Sequence, residues 1–522
     1  MVHTVVPAPS SLLPRPETPF ALTAATPILG EADAAAALRR LIAARTSVHL
    51  LGDQAQDGSR AIHLTVTPGG PAESYRLTAD ATTATVTGAD AAGLFYGVQT
   101  LGQLLTPAAD GDHWIIPAVE IDDAPRFSYR GVMFDVARHF QPVDTVKAYI
   151  DRAAGLKFNH LHLHLTDDQG WRLEIASRPA LTEKASGSSV ADDPGGYYSQ
   201  EDYREIVAYA ASRHMTVVPE IDLPGHTHAV TLAYPELTEP PVLSDHIHEV
   251  VRDFGGSLPE PGIAYTGLAV GFSSLRIHHE PTYEFVADVL EEVAALTPGP
   301  YLHIGGDEAL GTSSEDYAVF IERVTQLAAQ TGKTPIAWHE AGAIGDRLAP
   351  GTIGQYWGMR EPDTEMARKT RAFVRRGQAG GRLILSPADA IYLDMKYAGD
   401  APIGLSWAGI VPLPQAYDWD PAEVLDGLGE TDILGVEAPL WTETVRDLGD
   451  IDAMAFPRIA AAAEIAWSPA RGASDERTWD SFRDRVGRLA PLWRGLGIGF
   501  TPLPDIEWAE SDATPTAFTR ED

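Results

Sequence analysis

Cysteine is absent from all 522 residues. That excludes disulfides, thiolate metal sites and cysteine nucleophiles, and thiol usage marks no redox compartment. Long apolar runs are missing too, since no stretch approaches the roughly 20 apolar residues that cross a bilayer. The opening MVHTVVPAPSSLLPRP has no basic segment followed by an apolar core, so it does not read as a signal peptide. The expectation is a cytoplasmic protein, or a secreted one whose leader has been removed. Positive charge is scarce: 39 Lys and Arg against 73 Asp and Glu give a formal net charge of −34. A field of that sign repels phosphate backbones and anionic lipid, so neither nucleic acid nor membrane is an expected partner. A small neutral ligand suits such a surface, although solubility alone explains it equally well. An apolar content of 44% is enough for packed cores, and the length favours two domains over one.

The rhythm of the chain changes along its length. Residues 1–20 are Pro-rich and read as extended. Short alternating runs follow between about residues 47 and 88, namely SVHLL, AIHLTV, ESYRLTA and TATVTG, separated by Gly, Pro and Asp. A helical period then sets in from Asp90 to Leu105, with Leu94, Val98, Leu101 and Leu105 on one stripe. This predicts a small α+β domain over residues 1–125. From Tyr129 onward, apolar runs alternate with amphipathic segments. RGVMFDV, LHLHLT, TVVPEI, YLHIGG, PIAWHE, TIGQYW, RLILS and ILGVEA are eight strand candidates. Asp144–Leu156, Glu201–His214 and Thr282–Leu296 read as helices between them, with Ser199 and Asp202 placed as a capping pair. Eight such units predict an α/β fold, a (β/α)8 barrel over residues 126–507. A doubly wound sheet shows the same alternation. Residues 508–522 read as a polar tail.

Polar residues crowd the strand ends, where a barrel collects its chemistry. Arg130 and Asp135 bracket the first strand, and Asp167 and Asp168 follow the second. Glu220, Asp222 and His226 follow the third, and Gly305-Gly306-Asp307-Glu308 ends the fourth. Trp338 and Trp357 end the fifth and sixth, Tyr392 and Asp394 lie after the seventh, and Trp441 and Glu443 follow the eighth. Sugars offer apolar ring faces that stack on indole and hydroxyls that bond to carboxylates and guanidinium. A single strand-end Trp is usually core, and Asp135 with Arg138 reads as an ordinary ion pair; the argument comes from many such residues on different strands.

His160, His162 and His164 fall on one strand face at period two. They resemble the paired-histidine metal site of barrel amidohydrolases, with His226 and His228 as further ligands. The alternative is that the imidazoles fill a polar barrel interior and bond to carboxylates, and this is the reading preferred.

At HIGGDEA (303–309) the sequence resembles glycoside hydrolase family 20, the β-N-acetylhexosaminidases. RGVMFDVARHF, LHLHLTDDQGWR, PEIDLPGHTHA, AWHE, GQYWG, YLDMKY, GLSWAG and APLWTE follow in the family's order, and ADAAGLFYGVQTLGQLL resembles its N-terminal domain. The likeness covers nearly the whole chain and is greatest to bacterial, chitobiase-like members. It implies exo-acting removal of terminal β-linked GlcNAc or GalNAc, with retention, from an oligosaccharide or glycan terminus and without a cofactor or metal. By this resemblance Glu308 is the general acid/base, Asp307 orients and polarises the acetamido group, and Tyr392 bonds to its carbonyl oxygen. Trp338, Trp357 and Trp441 wall the pocket with Trp407 beside them. Arg130, Asp394 and Glu443 hold ring hydroxyls, while His226 and Asp167 support the acid.

Adjacent carboxylates at one strand end diverge, so Asp307 and Glu308 are ill placed for the opposed pair, about 5–5.5 Å apart, of an ordinary retaining glycosidase. They can serve two ends of one sugar, with its acetamido oxygen as nucleophile, the substrate-assisted route by which this family departs from that rule. Two other classes are open: a metal-dependent amidohydrolase, and a carbohydrate-binding protein that would not need an acid at position 308. A relative with another aglycone, releasing a disaccharide or a sulfated sugar, is a nearer alternative. Exhaustive dialysis against a strong chelator should leave activity unchanged. Loss of activity that added metal restores would favour the amidohydrolase reading.

Overall fold

The computed structural model describes residues 4–46, 48, 50, 60–108, 113–374 and 380–510. The chain divides into two compact units. One comprises Met1–Ser128, Arg152–Phe158 and Phe456–Asp522; the other comprises Tyr129–Asp151 and Asn159–Ala455.

In the first unit a six-stranded sheet runs in the order Ser11–Pro14, Val119–Asp123, Tyr75–Ala79, Thr83–Gly88, Ala61–Val66 and Ile28–Gly30. The period-two pattern explains the middle strands: along Thr83–Gly88 every second residue is buried. The helix Ala91–Leu104 begins where the Asp90 side chain accepts a hydrogen bond from Gly93 N–H, as the change of period predicts. Of the expected strand SVHLL, Val48 and Leu50 carry no regular structure, and Ser47, His49 and Leu51 lie outside the described residues. The helices Arg458–Trp467 and Trp479–Gly495 also belong to this unit, joined by a buried Arg485–Glu464 ion pair at 2.6 Å. Alternation counts strands and helices without saying which pack together, and by that count both helices fall within the expected domain of 126–507. Trp508, at the start of the expected tail, packs on Phe500 with ring centroids 4.5 Å apart; residues 511–522 lie outside the described residues.

The second unit is a closed barrel of eight parallel strands. In chain order they are Tyr129–Asp135, His160–His164, Thr216–Glu220, Tyr301–His303, Thr334–Trp338, Ile353–Tyr356, Leu383–Leu385 and Ile433–Leu440, and the last pairs with the first. All eight expected strands are present. The intervening helices include Val143–Ala154, Gln200–Ala211 and Glu280–Leu296, within a few residues of expectation. Ser199 and Asp202 form the anticipated reciprocal cap.

Inside, the barrel changes character from one end to the other. Tyr129, Val218, Ile336, Ile353, Ile384 and Leu434 form an apolar floor. Above it the interior is ionic. His162 Nδ1 lies 2.9 Å from Glu437 and its Nε2 3.1 Å from Glu220. Glu220 also meets His164 Nδ1, His303 Nδ1 at 2.9 Å and the Trp338 indole N–H at 2.8 Å, while Gln355 and Tyr129 bond to Glu437. Burial disfavours charge here, but Glu437 and Glu220 outweigh it for His162 and raise its pKa to about 10; Glu220 and Asp167 raise His164 to about 9. His162 and His164 thus fill a polar interior. His160 differs: it stacks on Tyr129 at 4.0 Å, and burial with the Arg130 charge lowers its pKa to about 3.

Within the barrel, four partners converge on Glu220: His162, His164, His303 and Trp338. Replacing Glu220 by Gln removes the counterion of two imidazolium groups, and breaking a buried pair costs about 3–5 kcal/mol. E220Q should therefore melt well below the wild type at neutral pH. An equally stable variant would show that the imidazoles do not need that charge.

Candidate active site

The strand Tyr301–His303 stops short of the run YLHIGG because the backbone turns sharply after it. Gly305 and Gly306 have φ of +66° and +103°, and Glu308, which is not glycine, has φ of +43°. A Cβ at Gly305 would stand 1.7 Å from Asp222 Oδ1, so only glycine fits. Gly306 N–H donates to that same oxygen at 3.0 Å, the Tyr317 hydroxyl donates to Gly306 O, and Trp338 N–H donates to Gly305 O at 3.0 Å. The turn is held from three neighbouring elements, and it places Asp307 and Glu308 in unlike surroundings. Asp307 is 7% exposed, whereas the Glu308 side chain is one-third exposed at 33%.

His226, itself at φ +54°, stands beside both carboxylates: its Nε2 is 3.7 Å from Asp307 and 3.5 Å from Glu308. Its Nδ1 faces Asp167 at 3.2 Å. Burial opposes its protonation, but Asp167, Asp222 and Asp307 together hold its pKa well above the ordinary range. Asp167 in turn lies 2.8 Å from Arg138 Nη1 and 2.9 Å from His164 Nε2. Burial would raise the Asp167 pKa, yet the Arg138 and His226 charges hold it well below the usual carboxylate range. A continuous chain of alternating charge runs from the barrel interior to the two carboxylates.

Aromatic rings form one wall. Trp338 and Trp441 have centroids 6.1 Å apart, Tyr392 lies 6.3 Å from Trp441 and 5.7 Å from Trp407, and Trp407 meets Trp357 edge-on at 5.8 Å. Trp407 is half exposed, the others far less so. Trp441 N–H points to Asp394 at 3.5 Å. Burial raises the Glu443 pKa to about 7 against the pull of Arg138.

All but one of the expected site residues therefore gather at the C-terminal ends of the strands. The exception is Arg130. It is the second residue of the first strand, in register with Val436, and its peptide N–H and C=O bond to Asn159 at 2.9 Å each. That is the opposite end of the barrel, beside His160. The arginine at the site is Arg138, whose guanidinium lies 4.7 Å from the Trp441 ring centroid and is held charged by Asp167, Asp135, Glu443 and Asp307 against its burial. Its Nε has no hydrogen-bond partner among the described residues. Asp135, 3.8 Å away, is a weaker partner occupied by Thr442 and the N–H groups of Ala137 and Arg138. The expected simple ion pair is thus part of the site.

Glu340 was also missed. It accepts from the Trp357 indole N–H at 3.0 and 3.1 Å, and burial, with the nearby Asp307 charge, raises its pKa to about 8. The motif AWHE contained it, but its partner comes from the next strand.

Donor sets within 4.8 Å of one another include His162–Glu220–His303, His164–Asp167–Asp222 and Asp222–His226–Asp307. Among the described residues the three period-two histidines are not brought together in any such set, and His160 and His228 belong to none. His228 instead contacts Ile263 O at 2.8 Å through Nε2.

The chain matches the family described as glycosyl hydrolase family 20, catalytic domain, over residues 127–317 and 310–470, and its domain 2 over residues 2–124. A β-N-acetylhexosaminidase of Cellulomonas fimi is 38% identical over 98% of this chain and 99% of its own. A solved family 20 β-N-acetylglucosaminidase is 60% identical, with a TM-score of 0.90, covering 97% of this chain and all of that one. The Streptomyces coelicolor A3(2) family 20 enzyme is 42% identical at a TM-score of 0.86, covering 98% and 99%. A mutant Streptomyces plicatus β-hexosaminidase, solved in complex with its product GlcNAc, is 42% identical at a TM-score of 0.85, covering 98% of each chain. With its whole-chain relatives, its closed barrel and its paired strand-end carboxylates, this chain belongs to glycoside hydrolase family 20 and is a β-N-acetylhexosaminidase.

Proposed function

We propose that the enzyme removes single terminal β-linked N-acetylhexosamine residues with retention, using the substrate's acetamido oxygen as nucleophile. The observation that carries this reading is the pair Asp307 and Glu308, adjacent on one turn, sharing one imidazole and differing in exposure. Glu308, reaching toward solvent, protonates the departing glycosidic oxygen. Asp307, enclosed beside the aromatic wall, faces the acetamido N–H. The acetamido oxygen attacks C1 as the C1–O bond breaks, giving an oxazolinium ion whose charge Asp307 stabilises. Glu308, now ionised, takes a proton from water as that water opens the ring at C1, and the sugar leaves as the β anomer after two inversions.

Tyr392 bonds to the acetamido carbonyl oxygen. Trp338, Trp357 and Trp441 pack against the acetamido group and the sugar face, with Trp407 at the rim. Arg138, Asp394 and Glu443 take ring hydroxyls, the part expected of Arg130 passing to Arg138. His226 and Asp167 hold the charge balance around Glu308. The GlcNAc complex of the Streptomyces plicatus relative supports a small sugar as ligand.

Progressive fluorination of the N-acyl group should slow turnover steeply, because electron withdrawal weakens the carbonyl oxygen as nucleophile. Insensitivity to fluorination with chemistry rate-limiting, or an α product at early times by NMR, would overturn the mechanism. Loss of general-acid help in E308Q should cost on the order of 10²–10⁴-fold with poor leaving groups and less with activated aryl groups. Equal losses across a leaving-group series in single-turnover assays would contradict the role of Glu308. R138Q should raise KM and lower kcat/KM steeply while R130Q, if folded, leaves KM near the wild type. The reverse order would return the sugar contact to Arg130.

A further inference from the structure

Asp222 lies under the catalytic turn and has no part in the mechanism above. It is 1% exposed, two residues beyond the strand Thr216–Glu220, with its peptide N–H bonded to Thr166 Oγ1 at 3.1 Å. Its Oδ1 accepts Gly306 N–H at 3.0 Å, and the bare Gly305 lets it sit this close. Its Oδ2 receives no hydrogen bond among the described residues, and neither does Asp307 Oδ1. An oxygen of Asp222, an oxygen of Asp307 and a ring nitrogen of His226 lie within 4.8 Å of one another. Two buried carboxyl groups this close, each with an unsatisfied oxygen, repel when both are ionised and attract when they share one proton.

We propose that Asp222 carries that proton and donates it in a hydrogen bond to Asp307, making Asp222 a positioning residue that fixes the orientation and the charge of the oxazolinium partner. The asymmetry of the surroundings says which member keeps the proton. Burial first, then Asp307, Glu220 and Asp167, push the Asp222 pKa well above the usual carboxylate range, against the pull of His226. Burial also raises the Asp307 pKa, as do Glu308 and Glu220, but the His226 charge draws it back. Glu340 presents a further carboxyl toward Asp307 and Glu308. A bond from Asp222 therefore keeps Asp307 ionised toward lower pH and leaves its other oxygen for the acetamido N–H. This rests on the role given to Asp307 above.

Asp222→Asn is a permanent copy of the protonated acid: its carbonyl can accept Gly306 N–H while its amide donates to Asp307. D222N should keep kcat near the wild type and leave the acid limb of the kcat–pH profile in place. D222A should lose on the order of 10²–10³-fold in kcat, the scale of losing one preorganised donor, and its acid limb should move to higher pH. Infrared difference spectra of ligand-free wild type minus D222N at neutral pH should show a protonated-carboxyl C=O band that shifts in D2O. D222N as damaged as D222A, a D222A enzyme with unchanged rate and profile, or no such band would each overturn the proposal. The infrared measurement needs only folded wild type and D222N, so it reads the proton even where D222A does not fold. If the band and the Asn rescue hold while turnover ignores N-acyl fluorination, the carboxyl pair stands and the substrate-assisted reading falls.

Discussion

The barrel of this enzyme depends on a column of opposite charges set into its own axis. Glu437, His162, Glu220, His164 and Asp167 follow one another through the interior, and Asp167 passes the alternation to Arg138 and His226 at the mouth. Such groups are costly to bury singly and tolerable only when each finds its complement. That requirement fixes the ring orientations of the histidines, the register of the strands that carry them and the indole of Trp338, which bonds to Glu220. The active site inherits its rigidity from this column. His226 stands between Asp307 and Glu308 because Asp167 holds its far side, and Asp167 is held in turn from below.

The aromatic wall works on a different principle. Its rings touch edge-on or tilted, and they exclude water from one side of the pocket while the opposite side stays charged. Burial raises the pKa values of Glu340 and Glu443, with the Asp307 charge adding to it at Glu340 and Arg138 opposing it at Glu443. In a cavity so rich in carboxyl groups, the distribution of protons is as much a part of the site as the positions of the atoms.

Much of this was legible along the chain. Strand after strand ended in a carboxylate or a tryptophan, and period two put His160, His162 and His164 on one face; the eight alternating units supported a barrel without excluding a doubly wound sheet, and the roles at its mouth came from the resemblance to family 20. The errors have a common source. The segment RGVMFDVARHF carries two arginines, and spacing alone does not say which end of the strand faces the sugar or how the loop beyond folds back. Arg130 stands at the floor and Arg138 returns over Trp441, a contact between the first and last barrel units. Glu340 was hidden for a similar reason, its environment being set by Trp357 on the next strand, and Asp222 was read as a strand-end residue without its place under the Gly305 turn. The packing of helices 458–467 and 479–495 is likewise a matter of which surfaces meet.

Position 308 carries a further consequence. A left-handed backbone suits glycine or asparagine and costs other residues roughly 1 kcal/mol or more, and here it is occupied by a glutamate at φ +43°. The chain thus holds its reactive acid in a conformation that a sequence chosen for durability alone would hand to a smaller residue. Glycine at 308 would relax the turn and remove a negative charge from a crowded acidic cavity, giving a hardier molecule with no proton donor. Durability and turnover are opposed at this one residue, and any search for thermostable descendants that does not also select for activity will tend to discard the group that makes the protein an enzyme.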